Sequence, residues 1–392
     1  MSLLQFIKLE AQRLGFQLVG VTTPDPPTHY EAFERWLAAG WHGDMDYLAS
    51  QRSRLRRANP RNILPECQSI LMLGIPYSPR VEAEQQVSQD AMDIIAGRMA
   101  AYAWGVDYHN VLAERLRELA ASIEAHLGKP IPYRWYCDTG AILERDLGQR
   151  GGLGWIGKNT CLIHPHLGSY FFLAEILLGL DLNPDPPFTP DYCGNCTRCI
   201  DACPTGCIAP DRTLNANHCI SYLTIERKGA IPIELRSKMG NWIFGCDICQ
   251  QVCPWNQHHP SSYEESIFTP PISTPYPNLI RELSLSPAEF NQKFQNSAVK
   301  RAKRRGYLRN VAVALGNIAT ANPEKAPLIE KALSHTILWE EEPLVRGHAI
   351  WALSQINSNS AQQSIRNLAE SETDAYVQTE IQMALNTRHY QE

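Results

Sequence analysis

Nine of the twelve cysteines of this 392-residue chain fall between Cys193 and Cys253, and eight of them form a spacing pattern. They read Cys193-x2-Cys196-x2-Cys199-x3-Cys203-Pro204, then Cys219, then Cys246-x2-Cys249-x3-Cys253-Pro254. Two-residue gaps let one loop wrap three corners of an iron–sulfur cube. In this spacing the fourth cysteine, the one before proline, crosses to a second cube. The rule fills two complete ligand sets here. Cys193, Cys196, Cys199 and Cys253 would hold the first 4Fe-4S cluster, and Cys203, Cys219, Cys246 and Cys249 the second. Cys219 supplies the ligand that the later run lacks.

Other uses of the thiols fit less well. Disulfides need an oxidising compartment. The start, Met1-Ser2-Leu3-Leu4-Gln5-Phe6-Ile7-Lys8-Leu9-Glu10, carries an early acid and no long apolar run, unlike a secretory signal. Zinc ribbons use two spaced pairs, not three thiols plus one before proline. The remaining Cys67, Cys137, Cys161 and Cys207 are scattered and are expected as buried free thiols. An apolar content of 44% and a charged content of 20% describe a soluble globular chain with room for two or three domains. No stretch approaches eighteen apolar residues, so no membrane span is expected. Reduced cysteines without an export signal place the protein in the cytoplasm. The net charge of −5 does not advertise a nucleic-acid binder, so that case must rest on local charge.

Residues 2–14 put Leu3, Phe6, Ile7 and Leu14 on one helical face, and Gln17–Thr22 follows as a short buried strand. A helix over 29–39 turns Phe33, Trp36 and Leu37 inward. Arg52, Arg54, Arg56, Arg57 and Arg61 come next with no acid among them, as either a solvated face or a phosphate grip. Ser69–Tyr77, Pro130–Cys137 and Tyr170–Leu180 read as strands, with a polar loop over 80–96. A long amphipathic helix runs to about Leu127, and a further helix spans 141–149. Such alternation over residues 1–185 indicates a layered α/β or α+β domain. The glycines of 151–157 do not follow the dinucleotide-binding pattern, and no P-loop is present.

The proline-rich segment Asn183–Pro190 leads into the cysteine module, and a second Pro- and Ser-rich transition lies at about 258–280. Beyond it the chain is helical. Ala314-Leu315-Gly316-Asn317-Ile318 is echoed by Ala352-Leu353-Ser354-Gln355-Ile356, 38 residues on, with a weaker copy around Val377–Leu385. This predicts a short HEAT-type array or, failing that, a helical bundle. Just before the first copy stand Lys300, Arg301, Lys303, Arg304, Arg305 and Arg309, in a stretch from Phe290 to Pro323 that contains no acid. The block suits the phosphates of a polyanion, although a solvated face would also carry charge.

Asp138 is the best acid candidate. It ends an apolar strand beside Tyr136 and Cys137 and precedes the turn Thr139-Gly140. It could act as a general acid or cap the helix that follows.

Several motifs together resemble the epoxyqueuosine reductase family. They are Tyr102-Ala103-Trp104-Gly105-x-Asp107-Tyr108-His109, Asp138-Thr139-Gly140, Gly152-Leu153-Gly154-Trp155-x-Gly157-Lys158-Asn159, and Cys246-Asp247-x-Cys249-Gln250-x-Val252-Cys253-Pro254-Trp255-Asn256. The resemblance runs through nearly the whole chain and implies its organisation and chemistry. The fold would be α+β in class. An α/β-type cobalamin-binding catalytic domain over 1–185 would precede a ferredoxin-like two-cluster module over 186–260. An all-α HEAT-like domain over 261–392 would bind tRNA. The family reduces epoxyqueuosine to queuosine at the tRNA wobble position with cobalamin and two 4Fe-4S clusters. Asp138 matches its proton donor, and Arg57, Asp138, Ser221, Thr224 and Asp247 match cofactor-contacting positions. Lys300, Arg301, Lys303, Arg304 and Arg305 would hold the anticodon stem-loop. Leu112 stands where a cobalt-binding Asp-x-His-x-x-Gly loop would need glycine, so His109 is not read as a cobalt ligand. A ferredoxin or flavodoxin would supply electrons to a monomeric enzyme, and Cys207 would be a spectator. A corrinoid reductase for a small molecule, like the related reductive dehalogenases, is the alternative. A plain electron carrier comes third. Neither needs the basic block or the repeats.

Overall fold

In the computed structural model the long apolar runs become the strands of one sheet. The structure describes residues 1–79, 95–257, 268 and 275–386. The expected 80–96 loop and the 258–280 transition fall mostly outside them. The chain forms two compact units. The first comprises Met1–Arg80, Gly105–Asn217 and Asp247–Thr269, and the second Val81–Trp104, His218–Cys246 and Pro270–Glu392.

The sheet belongs to the first unit. Strands β1 (Leu18–Thr22), β2 (Ser69–Pro76), β3 (Tyr133–Tyr136) and β4 (Phe171–Leu178) lie in the order β1-β2-β4-β3. Every pairing is antiparallel, with Leu71 opposite Ile176 and Tyr136 opposite Glu175. Of the two layered classes left open by the alternation, the chain therefore takes α+β. β2 is buried along its whole length and β4 at all but Leu173, which is why both read as continuous apolar runs.

Helix α1 (Leu3–Arg13) starts at a reciprocal cap between Ser2 and Gln5. Helices α2 (Tyr30–Ala38) and α3 (Gln51–Ala58) follow. Phe33, Trp36 and Leu37 of α2 are only partly buried, and no residue of that helix is fully enclosed. Helix α4 (Tyr108–Leu127) buries Leu112, Leu116, Leu119 and Ile123, and it stops at Gly128 in the left-handed conformation. Helix α5 (Glu144–Arg150) begins three residues later than the periodicity predicts. It packs Leu147 with Ile70, Met72, Phe171 and Leu177 in the core over one face of the sheet.

The second unit is dominated by α6 (Lys303–Ala321), α7 (Ala326–Trp339), α8 (Pro343–Ser354), α9 (Asn359–Ala369) and α10 (Ala375–Asn386). The first copy of the repeated pentapeptide lies in α6 and the second spans the end of α8, and the two pack on each other. A Cβ on Gly316 would stand 2.9 Å from the Cα and Cβ of Ala352, so this crossing requires glycine. Arg309 departs from the expectation of a surface cation. It is 1% exposed and donates to the carbonyls of Leu223, Arg227 and Gly229. Another buried arginine, Arg236, makes a two-pronged pair with Glu380 of α10. No described helix is long and apolar enough to cross a membrane.

Candidate active site

Asp138 lies two residues past the end of the edge strand β3. Its backbone is left-handed, with φ +57°, an uncommon state for a residue with a side chain. Gly140 must follow closely, because a Cβ there would come within 2.7 Å of the Tyr136 ring. Two hydrogen bonds hold the turn around Asp138. Its N–H donates to Glu144 Oε1 at 2.8 Å, and its Oδ2 accepts the Tyr108 hydroxyl at 2.9 Å. Asp138 therefore does not cap α5, whose cap position is Leu143 without a side-chain bond. Its carboxylate side chain is 66% exposed.

Tyr108 is fixed by stacking on Phe172, with ring centroids 4.3 Å apart and planes 9° apart. His109 Nε2 lies 3.9 Å from Asp138 Oδ2, while its Nδ1 meets Asp107 Oδ1 at 2.7 Å. Burial pushes the Asp107 carboxyl up, but hydrogen bonds from the His109 ring and amide outweigh it and leave the group below its usual range. Asp107 also caps α4. The histidine is thus held through Nδ1 by Asp107, with Asp138 near its other nitrogen.

Arg57 is buried, and burial lowers its pKa. It donates to Ser53 Oγ and, at 3.4 Å, to the carbonyl of Gly140, and it lies over the Phe33 ring. It braces the Asp138 turn. Two other arginines of the cluster find carboxylates from outside it: Arg54 pairs with Glu34, and Arg61 approaches Asp25 at 3.7 Å.

Elsewhere in the first unit, Cys193, Cys196, Cys199 and Cys253 line one cavity of about 320 Å³. They rim this space instead of meeting at a point. Among the described residues, no three His, Cys, Asp or Glu side chains gather closely enough to hold a single metal ion. The glycine-rich run supplies the frame. Lys158 Nζ donates to the carbonyls of Gly194 and Cys196 at 2.7 and 3.0 Å, and Trp155 Nε1 points to Cys193 Sγ at 3.4 Å. Asn159 donates to the Cys249 carbonyl, and Asn256 ties Gln250 to Ser169. The sequence motifs include these residues but assign them no role. Their signal was the recurrence of Trp, Lys and Asn beside glycines that fit no nucleotide motif. Cys203 belongs to the same unit, with Cys207 Sγ 3.4 Å from its sulfur. Of the scattered thiols, Cys67, Cys137 and Cys207 are buried and Cys161 is partly so. Burial pushes Cys67 up to about 11.

Three stretches of this chain match family models. Residues 57–139 match "Epoxyqueuosine reductase QueG, DUF1730", residues 192–256 the "4Fe-4S double cluster binding domain", and residues 299–386 "HEAT repeats". The epoxyqueuosine reductase of Pseudomonas aeruginosa is 39% identical over 352 residues, covering 90% of this chain and 94% of that protein. This chain belongs to the epoxyqueuosine reductase family. It is therefore an oxidoreductase with a double-cluster module and HEAT repeats. An epoxyqueuosine reductase solved with a tRNA-Tyr epoxyqueuosine-modified stem loop superposes with a TM-score of 0.89 at 29% identity, over 98% of this chain and 99% of that one. The Bacillus subtilis epoxyqueuosine reductase, solved with an aspartate catalytic loop swung out of its active site, matches with a TM-score of 0.86 at 29% identity. That match covers 98% of this chain and 99% of the other.

The other residues that the family resemblance singles out are placed as follows. Cys219, Ser221, Thr224 and Cys246 belong to the second unit, and Asp247 and Cys249 to the first. Thr224 is fully buried. Its hydroxyl donates to the Ile220 carbonyl at 2.8 Å and accepts the Gly245 N–H at 2.9 Å. Ser221 is partly buried, and Asp247 is buried, with its carbonyl starting the short helix Ile248–Gln251. In the basic stretch, Arg301 pairs with Glu226, and Arg304 with Glu340. Lys303 and Arg305 are exposed in the first turn of α6, and Lys300 is exposed in the 3-10 turn just before it.

Proposed function

We propose that this protein reduces epoxyqueuosine to queuosine at the wobble position of tRNA, using cobalamin and two 4Fe-4S clusters. The observation that carries the reading is the family match over 90% of the chain or more, to relatives of which one was solved with an epoxyqueuosine-modified stem loop. A small-molecule corrinoid reductase is not favoured, because it would leave the repeats and their basic edge without a task. Residues 1–185 are proposed as the catalytic domain, 186–260 as the cluster module and 261–392 as the tRNA-binding part. The proposed setting is a cytoplasmic monomer served by ferredoxin or flavodoxin.

Opening the epoxide to an alkene and water consumes two electrons and two protons. Bound cobalamin supplies low-potential two-electron chemistry at the epoxide carbons, with the clusters passing electrons singly. The residues proposed to hold it are Arg57, Asp138, Ser221, Thr224 and Asp247. Asp138 offers an exposed carboxyl, whereas Arg57 and Thr224 use their polar atoms inside the fold. The cavity lined by Cys193, Cys196, Cys199 and Cys253 fits a cluster held by four thiolates. Cys203, Cys219, Cys246 and Cys249 are proposed for the other. Asp138 protonates the departing oxygen. The Tyr108 hydroxyl occupies Oδ2, which leaves Oδ1 to carry the proton, and exposure lets the group recharge from water.

The test is direct. The protein is reconstituted with iron, sulfide and cobalamin, reduced at low potential, and given tRNA bearing epoxyqueuosine. Mass spectrometry of the digested tRNA should show that nucleoside losing one oxygen, only when cobalamin was added. Intact, reducible clusters without that loss would sink the reading.

A second prediction concerns RNA binding. Because Arg301 and Arg304 already meet carboxylates, the informative changes are Lys303→Gln and Arg305→Gln. Together they should weaken stem-loop binding. The slope of log affinity against log salt should become shallower by roughly 0.7 to 0.9 for each phosphate that is no longer neutralised. An unchanged slope would remove both residues from the interface.

A further inference from the structure

Glu175 stands in the middle of β4, and none of its surface reaches solvent. Among the described residues, neither of its carboxyl oxygens has a hydrogen-bond partner. It shares a sheet face with Phe171, Leu173 and Leu177, the face on which α5 packs. An ionised carboxylate cannot be held there without a partner; such a group takes up a proton instead. The group that faces it is the carboxyl of Glu144, from the first turn of α5. Two carboxylates only accept, so they leave each other unpartnered. One proton between them turns the same approach into a strong hydrogen bond. Glu144 is also the residue whose Oε1 takes the Asp138 N–H.

We propose that Glu144 and Glu175 hold one proton between them, and that this shared proton keeps the Asp138 turn in place. Both are then positioning residues for the proton donor, which makes the inference rest on the reading of Asp138 given above. With Glu175 protonated, its hydroxyl donates to Glu144. Glu144 is thereby pinned where it can accept the Asp138 N–H. Loss of the proton leaves two like charges face to face. Glu175 is fixed in the strand, whereas Glu144 is only partly buried and sits at a helix start. Glu144 therefore swings toward water, and Asp138 loses the acceptor that stabilises its left-handed backbone.

The surroundings favour the protonated form. Burial, and then the charge of Asp138, push Glu144 up to about 8 against the pull of Arg145 and Arg57. Glu175 is pushed well above the usual carboxylate range by burial first, and then by Glu144 and Asp138. The Cys137 thiol is buried beside the pair and is itself raised by burial and by both glutamates. From α4, the Tyr108 hydroxyl bonds Asp138 and the His109 ring lies near it. Across β2 the residue opposite Glu175 is Met72, which does not titrate, and across β3 it is Tyr136.

The experiment follows kcat and KM of the reconstituted holoenzyme on an epoxyqueuosine stem loop from about pH 6 to about pH 9. Wild type should lose kcat on the alkaline side with little change in KM. Glu175→Gln keeps a donor toward Glu144 that no base removes, so the alkaline fall should disappear. Glu175→Leu has no donor and should lower kcat at every pH by roughly tenfold or more. An alkaline fall that persists in E175Q, or wild-type kcat in a folded E175L, overturns the proposal. Infrared spectroscopy gives a readout independent of turnover and of E175L folding. Wild type should show a protonated-carboxyl C=O band that shifts in heavy water, titrates away with the same pH dependence, and is missing in E175Q. Absence of that band in wild type overturns the shared proton. Its presence in a protein that leaves epoxyqueuosine untouched upholds the pair and instead overturns the assigned substrate.

Discussion

Asp138→Asn is expected to lower epoxyqueuosine conversion by a factor of about 100 or more while leaving the clusters reducible. The substitution isolates the proton. Asparagine has the same size, and its side-chain oxygen can still accept the Tyr108 hydroxyl. The backbone N–H to Glu144 is unaffected. Asparagine also tolerates a left-handed backbone better than other residues with a side chain, so the turn at φ +57° should survive. What the variant lacks is an acid for the departing oxygen. The measurement is single-turnover conversion by nucleoside mass spectrometry, with cluster reduction by dithionite followed on the same samples. Turnover near wild type would move the proton donor elsewhere. Loss of cluster reduction as well would mean that the substitution had damaged more than the proton supply.

The largest effect on stability is expected at Arg309. Its guanidinium is buried and, among the described residues, meets no carboxylate. Its N–H groups go instead to three main-chain carbonyls and to Asn310 Oδ1. Burial pulls its pKa down to about 9, which leaves it charged at neutral pH. Arg309→Leu would fill the space but strand the carbonyls of Leu223, Arg227 and Gly229 away from water. Leaving buried acceptors unmet costs about 1–3 kcal/mol each, part of it offset by the apolar side chain, so a net loss of roughly 3–5 kcal/mol is expected. Calorimetry should show the transition of the second unit moved to markedly lower temperature. Arg309→Lys, which can serve fewer of the carbonyls, should fall in between. An unchanged melt in R309L would mean that water reaches these carbonyls.

What could be read from the chain alone follows from how local each signal is. The cysteine spacing points to a double-cluster module, which the family model over 192–256 matches, because a loop that wraps a cube fixes gaps of two and three residues. Helix α4 could be read to its last residue because Gly128 ends it in a conformation that glycine favours. Charge was less readable. Arg54, Arg301 and Arg304 stand among positive neighbours, but their carboxylates lie 20, 75 and 36 residues away in sequence. A window that sees only the arginines therefore overstates the free positive surface. Arg309 is the extreme case, a member of the basic run that belongs to the interior. Strand direction was not readable either. Helices between strands suit parallel crossovers, yet β1, β2, β4 and β3 all pair antiparallel. Glu175 did leave a trace, as the lone acid in an apolar strand. Its meaning needed Glu144, brought across from another element.

Helix α6 acts as a gauge block. Lys303 and Arg305 are exposed in its first turn, while Arg309 and Asn310 are bonded to the carbonyls of Leu223, Thr224 and Ile243. From Arg305 to Asn310 the helix rises about 7.5 Å. The cations proposed to grip RNA and the segment proposed to border the cofactor are therefore separated by a fixed length of one rigid rod. A change of Lys303 or Arg305, both exposed, would leave the rod itself undisturbed. A single residue gained or lost between 306 and 309 would instead turn the grip by about 100° around the helix axis and misalign it with everything below.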